Sequence, residues 1–388
     1  MNRFHSHIAS AVKVIESYNG AQPFAQHLKK FFSAEKKYGS KDRKNIAALC
    51  YAYFRMGHAQ KMNDKTERIL TGLFLSGNDA GGILQHFKPE WAERIVLPPA
   101  EKAAYLNIRP EDIFPFQNEL SAAIDKDAFA LSFLKQPHLF LRARPGRHAA
   151  VLQKLNDAAI QYELSGEDCL VLPNAAKTET ILKINREVVV QDRNSQRVLD
   201  YFRGHSADYG KDKKTNAWDC CAASGGKSIL LYDRLQGNVR LTVSDIRETI
   251  LANLKQRLEE AGISINRSFV ADLRNAAPPA TEKFHIVLCD APCTGSGTWS
   301  RTPEQLFYFN RKKIAEYTAL QEKIISHTVP ALADNGVFIY ITCSVFQEEN
   351  EGMVDRIKEK FHLRLLQMEY LAGYNDFADT LFVAVFSK

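Results

Sequence analysis

Apolar positions recur at helical spacing from Ile8 to about Leu131, with breaks at Gly20, Gly39, residues 77–82 and the Pro98-Pro99 pair. That pattern predicts an all-helical N-terminal domain over residues 1–132. From 133 to 210 the apolar runs shorten to "LFLRARP", "CLVLP" and "EVVVQD", around one helical segment at 149–155. They predict a small α+β subdomain. From 211 to 388 apolar strands alternate with amphipathic helices: "AWDCCA", a helix from Lys227, "RLTVSD", a helix from Glu248, "SFVAD", "HIVLCDAP", a helix over 311–332, "GVFIYITCS" and a helix from Gln347. Such alternation predicts a parallel, doubly wound α/β sheet. The last runs, "HLRLLQMEY" and "TLFVAVFSK", lack a helical crossover between them and predict an antiparallel hairpin at the sheet edge.

Composition narrows the setting. The chain has 388 residues, 45% hydrophobic and 25% charged, and no apolar run of membrane-spanning length. Its amphipathic start, "MNRFHSHIASAVKVIESY", is unlike a signal peptide, so a cytoplasmic, membrane-free monomer is expected. Seven cysteines, an odd number without CxxC spacing, argue against a disulfide framework and a zinc site, and no metal is expected. The net charge of +6 favours a polyanionic partner. Charge is densest over residues 28–44, where seven basic residues face two acidic ones with Phe31, Phe32 and Tyr38 interleaved. Lys29, Lys30, Lys36, Lys37, Lys41, Arg43 and Lys44 suit nucleic-acid backbone contact, although a solvated helix face with its aromatics turned inward has the same pattern.

In a parallel sheet the ligand lies beyond the carboxyl ends of the strands, and polar residues gather there in this chain. "WDCCAASGGKS" carries Asp219 at the first strand end, then small residues that let a ligand approach the backbone of the turn. A P-loop would need Gly at Cys221, and G-x-G-x-x-G is absent, so a nucleoside triphosphate and a nicotinamide cofactor are disfavoured. Asp245 ends the second strand, twenty positions after Gly225, where a carboxylate can accept both ribose hydroxyls. Asp272, after the third strand, can reach an adenine edge. A nucleoside without phosphates on a Gly-rich turn points to S-adenosylmethionine.

The segments "DCCAASGGK", "DAPCTGSG" and "YITCSVFQEENE" resemble the signatures of the RsmB/Nop/Sun family of S-adenosylmethionine-dependent RNA cytosine-5 methyltransferases. "PHLFLRARPG", "VVVQDRNSQRV" and "GTWSRTPE" extend the resemblance, and "KKYGSKDRKNIAALCYAYFR" is similar to the family's NusB-like RNA-binding domain. The resemblance implies a Rossmann-like class I methyltransferase sheet preceded by the small α+β subdomain and the helical domain. It places the cofactor loop at Cys221, Ala222, Ala223, Ser224, Gly225, Gly226 and Lys227, with Asp245 at the ribose, Asp272 at the adenine and Asp290 near the methionine portion and the target base. Arg142, in the segment before the catalytic fold, joins the expected RNA contacts. Ser224 stands where the family usually has proline, which predicts a looser turn.

By the same resemblance Cys343 attacks carbon 6 of cytosine, Cys293 assists product release and Asp290 bonds the cytosine edge. Cys50, Cys169, Cys220 and Cys289 read as core residues. A DNA cytosine-5 enzyme would use the proline-cysteine segment, making Cys293 the nucleophile and leaving "TCS" without a role. The expected substrate is therefore RNA, with small-subunit ribosomal RNA first and transfer RNA as the alternative. An amino methyltransferase would carry an aromatic at Cys293, and a non-catalytic ribosome-assembly factor would tolerate loss of the thiols.

Overall fold

The computed structural model describes residues 3–60, 64–79, 81–202, 214–277 and 282–388. The boundary expected between 210 and 211 lies outside them. Contacts divide the chain into two compact units, Met1–Pro137 with Thr298–Arg311, and His138–Gly297 with Lys312–Lys388.

The first unit is helical. α1 (Arg3–Glu16) buries Ile8, Ala11, Val14 and Ile15 on one face, and α2 (Phe24–Ala34) buries Phe24, Leu28 and Phe32, the i, i+4, i+8 stripe of an amphipathic helix. α3 (Ser40–Arg55) and α4 (Lys65–Ser76) pack closely; Asp64 caps α4 by accepting the Glu67 amide at 3.1 Å, and Gly77 ends it in the left-handed region. Shorter helices follow: α5 (Ile83–Phe87), α6 (Pro89–Ala92), α7 (Pro99–Tyr105), α8 (Pro110–Ile113) and α9 (Lys126–Ser132). Fully buried Arg68 donates to the carbonyls of Tyr53 at 3.2 Å and Gly57 at 2.8 Å, satisfying the chain reversal after α3. Along the basic stretch the side chains of Lys29, Lys30, Lys36, Lys37, Lys41, Arg43 and Lys44 are exposed, Phe32 is buried, and Phe31 and Tyr38 are half-buried. Charge therefore faces water while the aromatics pack inward.

The second unit holds two sheets. β1 (Leu139–Ala143), α10 (His148–Asp157), β2 (Glu163–Leu164), β3 (Cys169–Leu172), β4 (Val188–Val190) and α11 (Arg193–Arg197) form the smaller, an antiparallel sheet of order β2-β3-β1-β4. The larger runs β5 (Thr215–Asp219), α12 (Gly226–Arg234), β6 (Val239–Asp245), α13 (Glu248–Glu260), β7 (Arg267–Val270), β8 (Phe284–Asp290), α14 (Glu304–Tyr308, within the segment that packs in the first unit), α15 (Lys312–Thr328), β9 (Leu332–Thr342), α16 (Glu351–Phe361), β10 (Arg364–Leu371) and β11 (Leu381–Ser387). Its order is β10-β11-β9-β8-β5-β6-β7, with β5 to β9 parallel and β11 antiparallel to both neighbours. It is a Rossmann-like sheet. Alternate residues serve opposite core layers, Ala217 one and Trp218 the other, so its strands read as near-continuous apolar runs.

The antiparallel hairpin expected at the sheet edge is present, with β11 on the inside against β9 and β10 outermost, because 381–386 are buried throughout while β10 leaves most of its side chains at least partly exposed. Two other expectations change. The helix expected over 311–332 stops at Thr328, since Pro330 has no amide to continue it, and Leu332 already belongs to β9. Arg142, expected at an RNA surface, is 4% exposed and donates to Asp233 of α12 at 2.7 Å, with Arg144 bonding the same carboxylate at 2.7 Å. That buried pair ties the small sheet to the large one and leaves Arg142 unavailable to a phosphate. Among the described residues no helix is long and apolar enough to cross a membrane.

Candidate active site

The strand order reverses between β5 and β8, and there the carboxyl ends of the strands open into a cleft of about 500 Å³. Its walls bring together Cys221, Ala223, Asp245, Asp272, Asp290, Cys293 and Cys343. Residues up to 123 positions apart in the chain thus meet in one place (343 − 220, counting from Cys220, also in the wall).

The turn after β5 is held at both ends. Ala223 (φ +44°) and Gly225 (φ +82°) take positive φ, a conformation glycine adopts freely, and α12 begins at Gly226. The Ala222 amide donates to the Ser244 carbonyl at 2.9 Å and the Ala223 amide to Asp245 Oδ2 at 3.0 Å, hooking the turn onto β6. Ser224 does not leave it loose: Arg257 Nη1 donates to both the carbonyl and the hydroxyl of Ser224 at 3.1 Å, and Arg257 Nε is anchored on Asn185 Oδ1 at 2.7 Å. A hydrogen-bonded arginine takes over the restraint a proline ring would supply.

Asp245 and Asp272 are held in their charged forms. Burial works against the charge of Asp245, but bonds from the Arg247 side chain and amide and from Ala223 outweigh it and lower its pKa. The Arg274 guanidinium, with its backbone amide and Asn275 assisting, brings Asp272 down to about 2. Lys227 Nζ donates to Asp290 Oδ2 at 2.7 Å; burial opposes the lysine's charge, yet the adjacent carboxylate raises its pKa. Asp219 differs. It is fully buried and accepts the Ser228 hydroxyl at 2.6 Å, and burial lifts its carboxyl to about 7.

The two thiols meet across strand ends. Cys293 follows β8, Cys343 follows β9, and their sulfurs are 3.4 Å apart. That contact with Cys343, together with burial, pushes the Cys293 thiol well up, so Cys293 holds its proton through the neutral range. The loops bearing them are laced together. Glu349, fully buried, accepts the Thr294 amide at 2.9 Å, the Thr294 hydroxyl at 2.6 Å, the Ser344 hydroxyl at 2.5 Å and Gln321 Nε2 at 3.0 Å. Gly297 donates its amide to the Cys343 carbonyl at 2.8 Å and accepts the Thr380 amide at 2.9 Å; a Cβ there would stand 2.0 Å from the Thr380 oxygen. Burial raises the Glu349 carboxyl against the lowering pull of those donors.

Sequence reasoning missed Glu349, because Glu348 and Glu349 are adjacent acids in "FQEEN" and no periodicity marks which one turns inward; Glu348 faces solvent with Arg356. It also passed over Arg247 and Arg274, whose shared D-x-R spacing after β6 and β7 is a local signal.

Residues 210–376 match the family model for the 16S rRNA methyltransferase RsmB/F. The ribosomal RNA small subunit methyltransferase B of Yersinia pestis bv. Antiqua (strain Angola) is 26% identical over 231 residues, 57% of this chain and 51% of that protein. The "Probable ribosomal RNA small subunit methyltransferase B" of Bacillus subtilis (strain 168) is 26% identical over 209 residues, 53% of this chain and 45% of that one. The chain thus spans about half the length of the curated relatives it matches. Among solved structures, PH0851 is similar over 98% of both chains with a TM-score of 0.70 at 17% identity. NSun6 from Pyrococcus horikoshii, solved with SFG, is similar over 71% of this chain and 97% of that one, with a TM-score of 0.60 at 14% identity. These likenesses show the fold. Over its segment 210–376 the chain is similar to the RsmB/F methyltransferases.

Proposed function

We propose that the chain transfers a methyl group from S-adenosylmethionine to carbon 5 of a cytosine in RNA, with small-subunit ribosomal RNA as the substrate. The observation that carries this reading is the 3.4 Å approach of Cys293 and Cys343 in the same cleft as Asp245, Asp272 and Asp290. The residues fit the cofactor. Small side chains line the turn over 222–226, the first amides of α12 are available to a carboxylate, and Asp245 and Asp272 stand at successive strand ends for a ribose and an adenine. When bound, S-adenosylmethionine supplies an electrophilic methyl group.

Carbon 5 of cytosine is a weak nucleophile. Attack of the Cys343 thiolate on carbon 6 forms an S–C bond and shifts the ring electron pair to carbon 5, which takes the methyl group. Asp290, steadied by Lys227 on Oδ2, accepts the cytosine N3/N4 edge through its other oxygen and favours the N3-protonated ring. Loss of the carbon 5 proton then restores the double bond and returns the S–C pair to Cys343. Cys293, one hydrogen bond away, is placed to exchange a proton in that step. An amino methyltransferase has no use for Cys343, and an assembly factor has none for either thiol. Transfer RNA is the second substrate reading, separated from the first by sequencing the labelled product.

The test uses labelled S-adenosylmethionine and RNA from cells lacking the protein. Wild type yields 5-methylcytosine, Cys343→Ala loses transfer by on the order of 10⁴-fold or more, and Cys293→Ala accumulates a covalent RNA adduct. Normal methylation by Cys343→Ala overturns the assignment, and RNA binding by wild type without transfer to any cytosine supports the assembly-factor reading.

A further inference from the structure

Of the thiols that the chemistry above leaves unused, three lie together. The sulfurs of Cys220, Cys221 and Cys289 are all within 4.8 Å of one another. Two come from the end of β5 and one from β8, and the parallel register that sets Asp219 opposite Leu288 continues with the Cys220 amide donating to the Leu288 carbonyl at 3.0 Å. Cys220 and Cys289 therefore stand side by side on one sheet face, in the core layer that contains Trp218 and Tyr340, with Cys221 packed against it. The first two are 1% and 0% exposed, whereas Cys221 is half-buried. Cys220 and Cys221 both line the cleft, which gives a route in from solvent.

Thiolates about 2.3 Å from one metal ion stand about 4 Å from each other, a spacing this cluster can adopt by rotamer adjustment. No histidine or carboxylate joins the group among the described residues. A set of sulfur ligands alone selects soft ions, and of these zinc asks for a fourth ligand while cuprous copper is content with three. We propose that Cys220, Cys221 and Cys289 form a buried binding site for cuprous copper. On binding, Cu–S bonds form, thiol protons pass to solvent and copper keeps its oxidation state. The linear spacing of the cysteines hides such a site, because its ligands come from neighbouring strands and one turn.

The Cys293–Cys343 pair would also take copper, so the test starts from the full chain carrying Cys293→Ser and Cys343→Ser. Under anaerobic conditions the reduced protein competes for Cu(I) against a coloured Cu(I) chelator. One equivalent is expected to move to the protein, and adding Cys289→Ala is expected to weaken uptake at least 100-fold. If Cys289→Ala disturbs folding by circular dichroism, Cys221→Ser, at the open side of the cluster, serves instead with the same expectation. Copper X-ray absorption should show a shell of three sulfurs. Equal uptake with and without the third substitution, no uptake by the starting protein, or a shell dominated by nitrogen or oxygen would overturn the site.

Discussion

The two halves of the cleft are held by different means. On the β6–β7 side each carboxylate is clamped by an arginine two residues downstream, Arg247 on Asp245 and Arg274 on Asp272. On the β8–β9 side the thiol loops are joined through Glu349, whose bonds to Thr294 span 55 residues of sequence. The two carboxylates proposed for the cofactor are set by clamps two residues long, whereas the loops proposed for the base are held by long-range bonds, those to Glu349 and the Gly297–Cys343 link. A substitution on the first side should therefore change cofactor affinity, and one on the second should change turnover.

Asp290 lies between the halves and, after Cys343, should show the largest effect. Asp290→Asn removes the charge that Lys227 neutralises and that the attacked base needs, so turnover is expected to fall by about 10²–10³-fold; steady-state kinetics that show only a raised KM would break the comparison. Glu349→Ala comes next. It leaves buried donors without an acceptor, at a cost of about 3 kcal/mol read from chemical denaturation, and displaces the two thiol loops, so kcat should fall on the order of 10²-fold with the cofactor KM unmoved. Arg257→Ala sharpens the other side. Losing its bonds to Ser224 should raise the cofactor KM about fivefold, the equivalent of roughly 1 kcal/mol, with kcat intact.

A further effect is in pH. Asp219 has its carboxyl raised to about 7 by burial, above the unfolded value of about 3.9. A raised acid favours the folded state while protonated, so this contribution is fully present below pH 4 and is lost as pH climbs through about 7. Asp219→Asn stays neutral throughout. Thermal melts should show the variant gaining on wild type between pH 4 and pH 8, and a constant difference would remove Asp219 from the account.

Much of this was legible in the chain. The runs "LTVSD", "HIVLCDAP" and "GVFIYITCS" mark strands because both faces of the sheet are covered and every position wants to be apolar. The small residues of the cofactor turn and the two thiols that end apolar runs were equally visible. The order of the last two strands was within reach as well: "LFVAVF" is apolar at every position, as an inner strand must be, while "RLLQMEY" is not. The two-residue strand β2, exposed on both positions, carries no pattern at all. Glu349 and the Arg142–Asp233 pair were hidden for another reason. Burial of a charge is decided by a partner far away in sequence, 55 residues for one and 91 for the other, and an acid or an arginine looks solvated until that partner is known.

The insertion of β11 has a consequence for the order in which a ribosome makes this fold. β5, β6 and β7, with their arginine-clamped carboxylates, leave the exit tunnel more than a hundred residues before β11 (381 − 270 = 111). β9, which leads into Cys343, keeps one edge open until residues 381–387 arrive to cover it, and the Gly297–Thr380 link cannot close any sooner. A growing chain can thus shape the side of the cleft proposed for the cofactor well before the two thiols proposed to act on the base are brought into line.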